Sequence, residues 1–310
     1  MRIAKLLPLT ADERALRARL REHVHQLAGV VGARHMDAPG TLEAAADYVE
    51  RTLTSVAGEP VTRHRFPVGH RHAENLILER LGTTHPDRVV VVGAHYDTVP
   101  ESPGADDNAS AVAMLIETAR LLAGRPSQYT LRFVAFANEE SPHYDLGTMG
   151  SEHYAQHCLT DDRCVIHAML CLEMVGYYRT EPNSQRIPPA LPKFARHFLP
   201  TRGDFISAVA NPRSVPLLLR FRRGFRKASR FPLLPIALPE RIRDITRSDH
   251  RPFWDANIPA LMLTDTSYLR NPHYHQPTDL PDTLDYERFT RATLGTAGGI
   301  AAIARMKPRA

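Results

Sequence analysis

GAHYDTVPESPGADDN, residues 93–108, reads as the end of a buried strand and the loop that follows it. A run of valines, Val89–Val92, leads in. Such continuous apolar runs mark strands buried on both faces. The dense apolar segment Ala109–Leu122 leads out, and its lack of a polar face predicts a buried helix. Between them stand His95, Asp97 and the acidic pair Asp106–Asp107. Imidazole and carboxylate are the nitrogen and oxygen donors that suit zinc. The stretch therefore predicts a metal-binding loop at the carboxyl end of a strand.

Helical and extended patterns alternate to either side. Thr10 and Glu13 form the two ends of a capping box, and Leu16, Leu20, Val24 and Leu27 follow at helical spacing, predicting a helix over Thr10–Leu27. A second helix is predicted over Thr41–Leu53, and strands over Val61–Pro67, Asn75–Leu81, Arg88–Ala94, Tyr129–Ala137 and Ile166–Leu172. Further along, Phe205–Ala210, Phe231–Ala237 and Ala260–Asp265 read as strands, and Met149–His157, Ser248–Asn257 and Asp285–Met306 as helices. This order defines an α/β class. No linker or repeat divides the chain, so residues 1–310 are read as one catalytic domain. Dense proline in Ile187–Pro192 and at Pro200 predicts an irregular flap within 178–240.

The bulk numbers narrow the function. With 43% apolar and 24% charged residues, the chain is ordinary for a soluble globular protein. A net charge of +5 is a weak pointer to any polyanion. LLLRFRRGFRKASR (217–230) reads as an amphipathic helix with a solvated arginine side, not as a nucleic-acid surface. No apolar run is long enough to span a membrane, and the first residues lack a signal-peptide pattern. The expectation is no nucleic acid, no membrane and a cytoplasmic location. The three cysteines, Cys158, Cys164 and Cys171, lack CxxC spacing, which argues against a disulfide framework or a thiolate zinc site.

Other acidic and histidine groups share the context of the opening stretch. Glu139–Glu140 and Glu173 each follow a predicted strand, and Asp249–His250 and His273–His275 lie in nearby loops. In α/β sheets such strand ends open on one crevice.

Taken together and in order, GAHYD (93–97), GADDNAS (104–110), ANEES (137–141), MGS with Tyr154, LEM (172–174), SDH (248–250) and NPHYHQPTD (271–279) resemble the motifs of the co-catalytic zinc exopeptidases of clan MH. That family includes bacterial leucyl-type aminopeptidases, glutamate carboxypeptidases and glutaminyl cyclases. The resemblance implies a three-layer αβα sandwich around a mixed, mostly parallel sheet. It implies two zinc ions, with one possible, held by His95, Asp107, Glu140, Glu173 and His275, and with Asp107 touching both. Asp97 would orient His95. Glu139 matches the base that activates the attacking water, and Tyr274 a tyrosine that hydrogen-bonds the oxyanion. Asp249 falls in a motif that the cyclases use near the substrate, and His250 would stand behind the ligands or face the substrate. One departure is Glu173, where many of the aminopeptidases carry aspartate.

The leading expectation is a metallo-exopeptidase, an aminopeptidase acting on the N-terminal residue of a peptide. Two alternatives share the fold or keep it without chemistry. One is a glutaminyl-cyclase-like acyltransferase or small-amide amidohydrolase, and the other a non-catalytic binding module. The intact set of ligands and base argues against the last.

Overall fold

The four valines divide their side chains between two cores. In the computed structural model, which describes residues 6–161, 164–188, 191 and 199–307, Val90 and Val92 face one apolar cluster and Val89 and Val91 the other. The strand that carries them, β3 (His85–His95), lies inside an eight-stranded sheet of order β1-β2-β4-β3-β5-β8-β6-β7. Its members are β1 (Thr62–Val68), β2 (Arg71–Arg80), β4 (Tyr129–Phe136), β5 (Val165–Glu173), β6 (Ile206–Ala210), β7 (Leu233–Ala237) and β8 (Ala260–Thr264). The pairs β3–β4, β3–β5, β5–β8 and β6–β7 are parallel; β1–β2, β2–β4 and β6–β8 are antiparallel.

Helices cover both faces. The Val90/Val92 side packs against α1 (Ala11–Val24), α2 (Thr41–Ala57), α3 (Ala111–Leu122), α6 (Val215–Ala228) and α8 (Tyr286–Ile303). The other side packs against α5 (Gly150–Thr160) and α7 (Arg251–Asp255). A short α4 (His143–Leu146) lies between β4 and α5. The architecture is the three-layer sandwich with a mixed sheet.

Local chemistry explains the elements. Both halves of the Thr10–Glu13 capping box are made, and the cap contributes about 1 kcal/mol. The helix is regular only to Val24, and wider π-type turns carry the chain on over His25–Val31. On α6, Leu217, Leu218, Phe221 and Phe225 are buried while Arg223, Arg226 and Lys227 face solvent, as an amphipathic helix requires. Gly224 lets α6 meet α8: a Cβ there would stand 2.2 Å from the Gly298 carbonyl oxygen. On α3, Glu117 has no exposed surface and bonds to Arg19 at 2.8 Å, Arg120 at 2.9 Å and His23 Nε2 at 3.1 Å. Against the upward push of burial, these partners hold its carboxyl down at about 2.

Between 178 and 240 the chain forms β6, α6 and β7, and the regular elements occupy much of the interval assigned to a flap. Residues 189–190 and 192–198, most of the proline-dense stretch, lie outside the described residues. The cysteines are free thiols. Arg132 Nη1 donates to Cys164 Sγ at 3.0 Å and Cys158 Sγ at 3.5 Å. Hydrogen bonding from Cys158, with Arg132 alongside, lowers the Cys164 thiol to about 7. Among the described residues no helix is long and apolar enough to cross a membrane.

Candidate metal centre

Parallel pairing brings three strand ends to one edge. His95 closes β3 and Glu173 closes β5, on either side of the same register. Strand β4 stops at Phe136, and Asn138 turns the chain in a left-handed conformation (φ 60°) just before Glu139 and Glu140. Asp107 sits in the tight turn after β3, behind Gly104, whose φ of 63° and close approach to the Asp107 carbonyl leave no room for a side chain. His275 arrives from the loop after β8, also at positive φ.

Two donor sets result, and they share one residue. His95 Nε2 lies 3.4 Å from Asp107 Oδ1 and 3.5 Å from Glu173 Oε2. His275 Nε2 lies 3.2 Å from Asp107 Oδ2 and 3.2 Å from Glu140 Oε1. Within each set the donor atoms stand within 4.8 Å of one another. His95 Nε2, His275 Nε2 and Asp107 Oδ1 are buried and make no hydrogen bond among the described residues. Buried polar atoms are normally partnered, so converging unpartnered nitrogen and oxygen donors fit a pair of cations. Glu139 belongs to neither set, with Oε2 3.8 Å from His95 Nε2.

The surroundings fix these side chains. Asp97 lies 3.5 Å from His95 Nδ1, and its two oxygens also accept the backbone N–H groups of Glu139 and Glu140, each at 3.1 Å. Asp279 accepts the N–H groups of Asp106 and Asp107. Asn108 donates to the Leu172 carbonyl and accepts from Met174 N–H, tying the Asp107 turn to the end of β5. The Ser248 hydroxyl donates to Glu173 Oε2 at 2.6 Å. Arg34, completely buried, spends its guanidinium on the carbonyls of Leu27, Gly32, Tyr96, Pro103 and Gly104, bracing the loop that leads to Asp107. Burial lowers Arg34 to about 10, with Asp97, Asp279 and Asp107 opposing that fall.

Charge in the cluster is shared out by burial and by the histidines. Burial opposes a charged His95, but Glu139, Glu173, Asp107 and Asp97 together outweigh it and hold the imidazole well above its ordinary range. Burial likewise opposes charge on His275, yet Asp107 and Glu140 raise it to about 10. Burial and the neighbouring Asp107 lift Glu140 to about 7. Glu139 is pushed well up by burial, with Glu173 and Glu140 adding to that rise and the His95 charge opposing it. Asp107 is held low by His275 and His95 against burial.

Asp107, Glu139, Glu140, Glu173, Tyr274 and His275 line a cleft of about 970 Å³. Its floor includes the sheet face beyond Glu173: Glu173 pairs with Thr264, Thr264 with Ser207, and Ser207 with Leu234. The next row inward, Met262, Val209 and Ile236, is apolar. Tyr274 stacks on His275 with ring centroids 3.8 Å apart.

The structure brings His95, Asp97, Asp107, Glu139, Glu140, Glu173, Tyr274 and His275 together. His250 is fully buried, hydrogen-bonds the Ile245 carbonyl at 2.7 Å and packs edge-on against Trp254, so of the two places expected for it the one facing the substrate is left aside. Asp249 is also fully buried and off the cleft wall. Burial raises it to about 7, with the His95 charge opposing, and its oxygens make no hydrogen bond among the described residues. Asp106 serves the scaffold by accepting from Gly176 N–H, Ser110 and Asn271. The supporting roles of Asp279, Asn108, Ser248 and Arg34 are not read from the sequence. Asp279 and Asn108 lie inside quoted motifs, Ser248 opens one, and Arg34 has no signal at all.

The fold and this site define a metallopeptidase. A model of peptidase family M28 matches residues 75–298. The uncharacterised protein YfbL of Escherichia coli is 33% identical over 285 residues, covering 89% of this chain and 85% of its own length. The chain belongs to peptidase family M28. Aminopeptidase YwaD of Bacillus subtilis is 45% identical over 92 residues, 30% of this chain and only 19% of that protein. Among solved structures, BSAP, a zinc aminopeptidase from Bacillus subtilis, superposes with a TM-score of 0.72 at 17% identity, over 94% of this chain and 95% of that one.

Proposed function

We propose that the chain is a zinc-dependent aminopeptidase that removes the N-terminal residue of a peptide, with two zinc ions per chain. One observation carries the reading: two donor sets, His95–Asp107–Glu173 and Asp107–Glu140–His275, share Asp107. His95, Asp107 and Glu173 would hold one ion, and Asp107, Glu140 and His275 the other. The similarity to named aminopeptidases supports the substrate class.

Bound zinc supplies Lewis-acid polarisation of the carbonyl and acidifies water. The chain's own residues do the rest. Glu139 takes a proton from the water that adds to the scissile carbonyl carbon. It returns that proton to the amide nitrogen as the C–N bond breaks, so the amine leaves neutral and the carboxyl product keeps the oxygen. Tyr274, on the cleft wall beside His275, donates its hydroxyl to the oxygen on which negative charge develops. Asp97 orients His95 and, through the N–H groups of Glu139 and Glu140, keeps base and ligand in one frame. Asp249 supports this group from behind. The three free thiols support a reducing, cytoplasmic location.

The test is a substrate panel run beside metal analysis. Two equivalents of zinc and turnover of peptides with free but not blocked N-termini are expected. Glu139→Gln should keep the metal and lose about 10²–10⁴-fold in kcat, the usual worth of a positioned base. One equivalent of zinc with ring closure of N-terminal glutaminyl peptides would replace this reading with the acyltransferase one. Full activity in Glu139→Gln would overturn the mechanism.

A further inference from the structure

Beyond the metal donors, the same cleft carries arginines that form no ion pair among the described residues. Arg186 reaches in from the segment after β5, and Arg241, Arg243 and Arg247 from the segment before α7. All four are exposed, and none forms an ion pair with a carboxylate among the described residues. Of the acids on the same walls, Asp255 pairs with Arg251, while Asp244 and Glu240 accept from the neutral Tyr268 and Asn211. Asp244, at Tyr268, therefore shares the field of these arginines.

Two of these arginines are gathered at one place. Arg186 donates to the Tyr268 carbonyl, and the Arg247 guanidinium lies 6.0 Å from the Tyr268 ring centre. The Tyr268 ring lies 6.0 Å from that of Tyr274, which stacks on His275. The pair therefore sits one aromatic ring beyond the residue next to the metal donors. Four carboxylates line the inner cleft: Asp107, Glu139, Glu140 and Glu173. Two divalent cations would offset their charge, leaving the four unpaired arginines to face Asp145, Glu240 and Asp244 on the outer walls.

We propose that Arg186 and Arg247 bind a carboxylate on the leaving part of the substrate, so that the enzyme selects peptides carrying an anionic group one residue beyond the cleaved bond. The inference rests on the aminopeptidase reading. A free α-amine would be repelled by these arginines and drawn to the acidic inner cleft, so the leaving residue runs toward Tyr268. Guanidinium and carboxylate match as a charge-assisted pair. The anion is the main-chain carboxylate of a dipeptide or the side chain of an acidic second residue.

Matched substrates separate these cases. Leucyl-alanine against leucyl-alaninamide reads the main-chain carboxylate, and leucyl-glutamyl-amide against leucyl-glutaminyl-amide reads the side chain. The acid member of at least one pair should show a kcat/KM at least tenfold higher, mostly through KM, with the advantage shrinking as salt rises. In the Arg186→Gln/Arg247→Gln variant, checked for wild-type zinc content and melting temperature, the ratio should fall toward unity. Arg247→Lys alone should retain part of it. Equal rates within both pairs, or an unchanged ratio in the double variant, would overturn the proposal while leaving the aminopeptidase reading standing. No hydrolysis of any member would remove that reading and this one with it.

Discussion

The Ser248 hydroxyl donates a 2.6 Å hydrogen bond to Glu173 Oε2. Ser248 precedes α7, on a segment remote from β5 in sequence, and it fixes one oxygen of a carboxylate whose longer arm would otherwise turn freely. Outer partners of metal donors commonly contribute 10- to 100-fold in affinity. Ser248→Ala should therefore weaken one metal position by about that factor and leave the other nearly intact. Competition against a graded chelator would reveal one tight and one weakened equivalent; two unchanged equivalents would contradict the assignment.

Asp107 is the one residue common to both donor sets. Asp107→Asn should lose both equivalents of zinc, whereas Glu140→Gln should lose one. Metal analysis after dialysis distinguishes them. A full equivalent retained by Asp107→Asn would mean that the two positions are independent.

Glu117 sets an acid limit on the fold. Its carboxyl lies at about 2 in the folded chain against an ordinary 4.5. A lowered carboxylate contributes stability above its unfolded value and loses it as pH falls toward the folded one. The network with His23, Arg19 and Arg120 should thus contribute fully above pH 4.5 and fade toward pH 2. The contribution is on the order of 2–3 kcal/mol. Between pH 5 and pH 3 the melting temperature of the wild type should fall further than that of Glu117→Gln. Parallel falls would refute the linkage.

Arg34→Met should be costly well away from solvent. Five backbone carbonyls lose a charged donor, and buried acceptors left unpaired cost about 1–3 kcal/mol each. Destabilisation of at least about 3 kcal/mol is expected by denaturant titration, together with weaker zinc binding because Pro103 and Gly104 lead into the Asp107 turn. Arg34→Lys should recover only part, since an ammonium cannot reach the same spread of acceptors.

These residues also show what a sequence makes legible. Val89–Val92 announces a doubly buried strand because every residue in it is apolar, and the acids and histidine at strand ends announce a site because such groups are out of place beside a core. Thr10 and Glu13 are local, and local rules find them. Ser248 and Glu173 are 75 positions apart, and Arg34 reaches carbonyls up to 70 positions away. Contacts of that kind exist only once the sheet is assembled. His250 stays open in the sequence for a related reason: only the turn entering α7 decides that its ring packs on Trp254, four residues on.

The donor sets draw on residues from His95 to His275, and no shorter stretch contains them all. A chain made from its N-terminus acquires Asp107 and Glu140 early but cannot close the second set until β8 and the loop after it have emerged and folded. Hydrolytic power thus appears last. On the proposed reading the growing polypeptide is spared its own chemistry, and a fragment that ends inside that span should be inert.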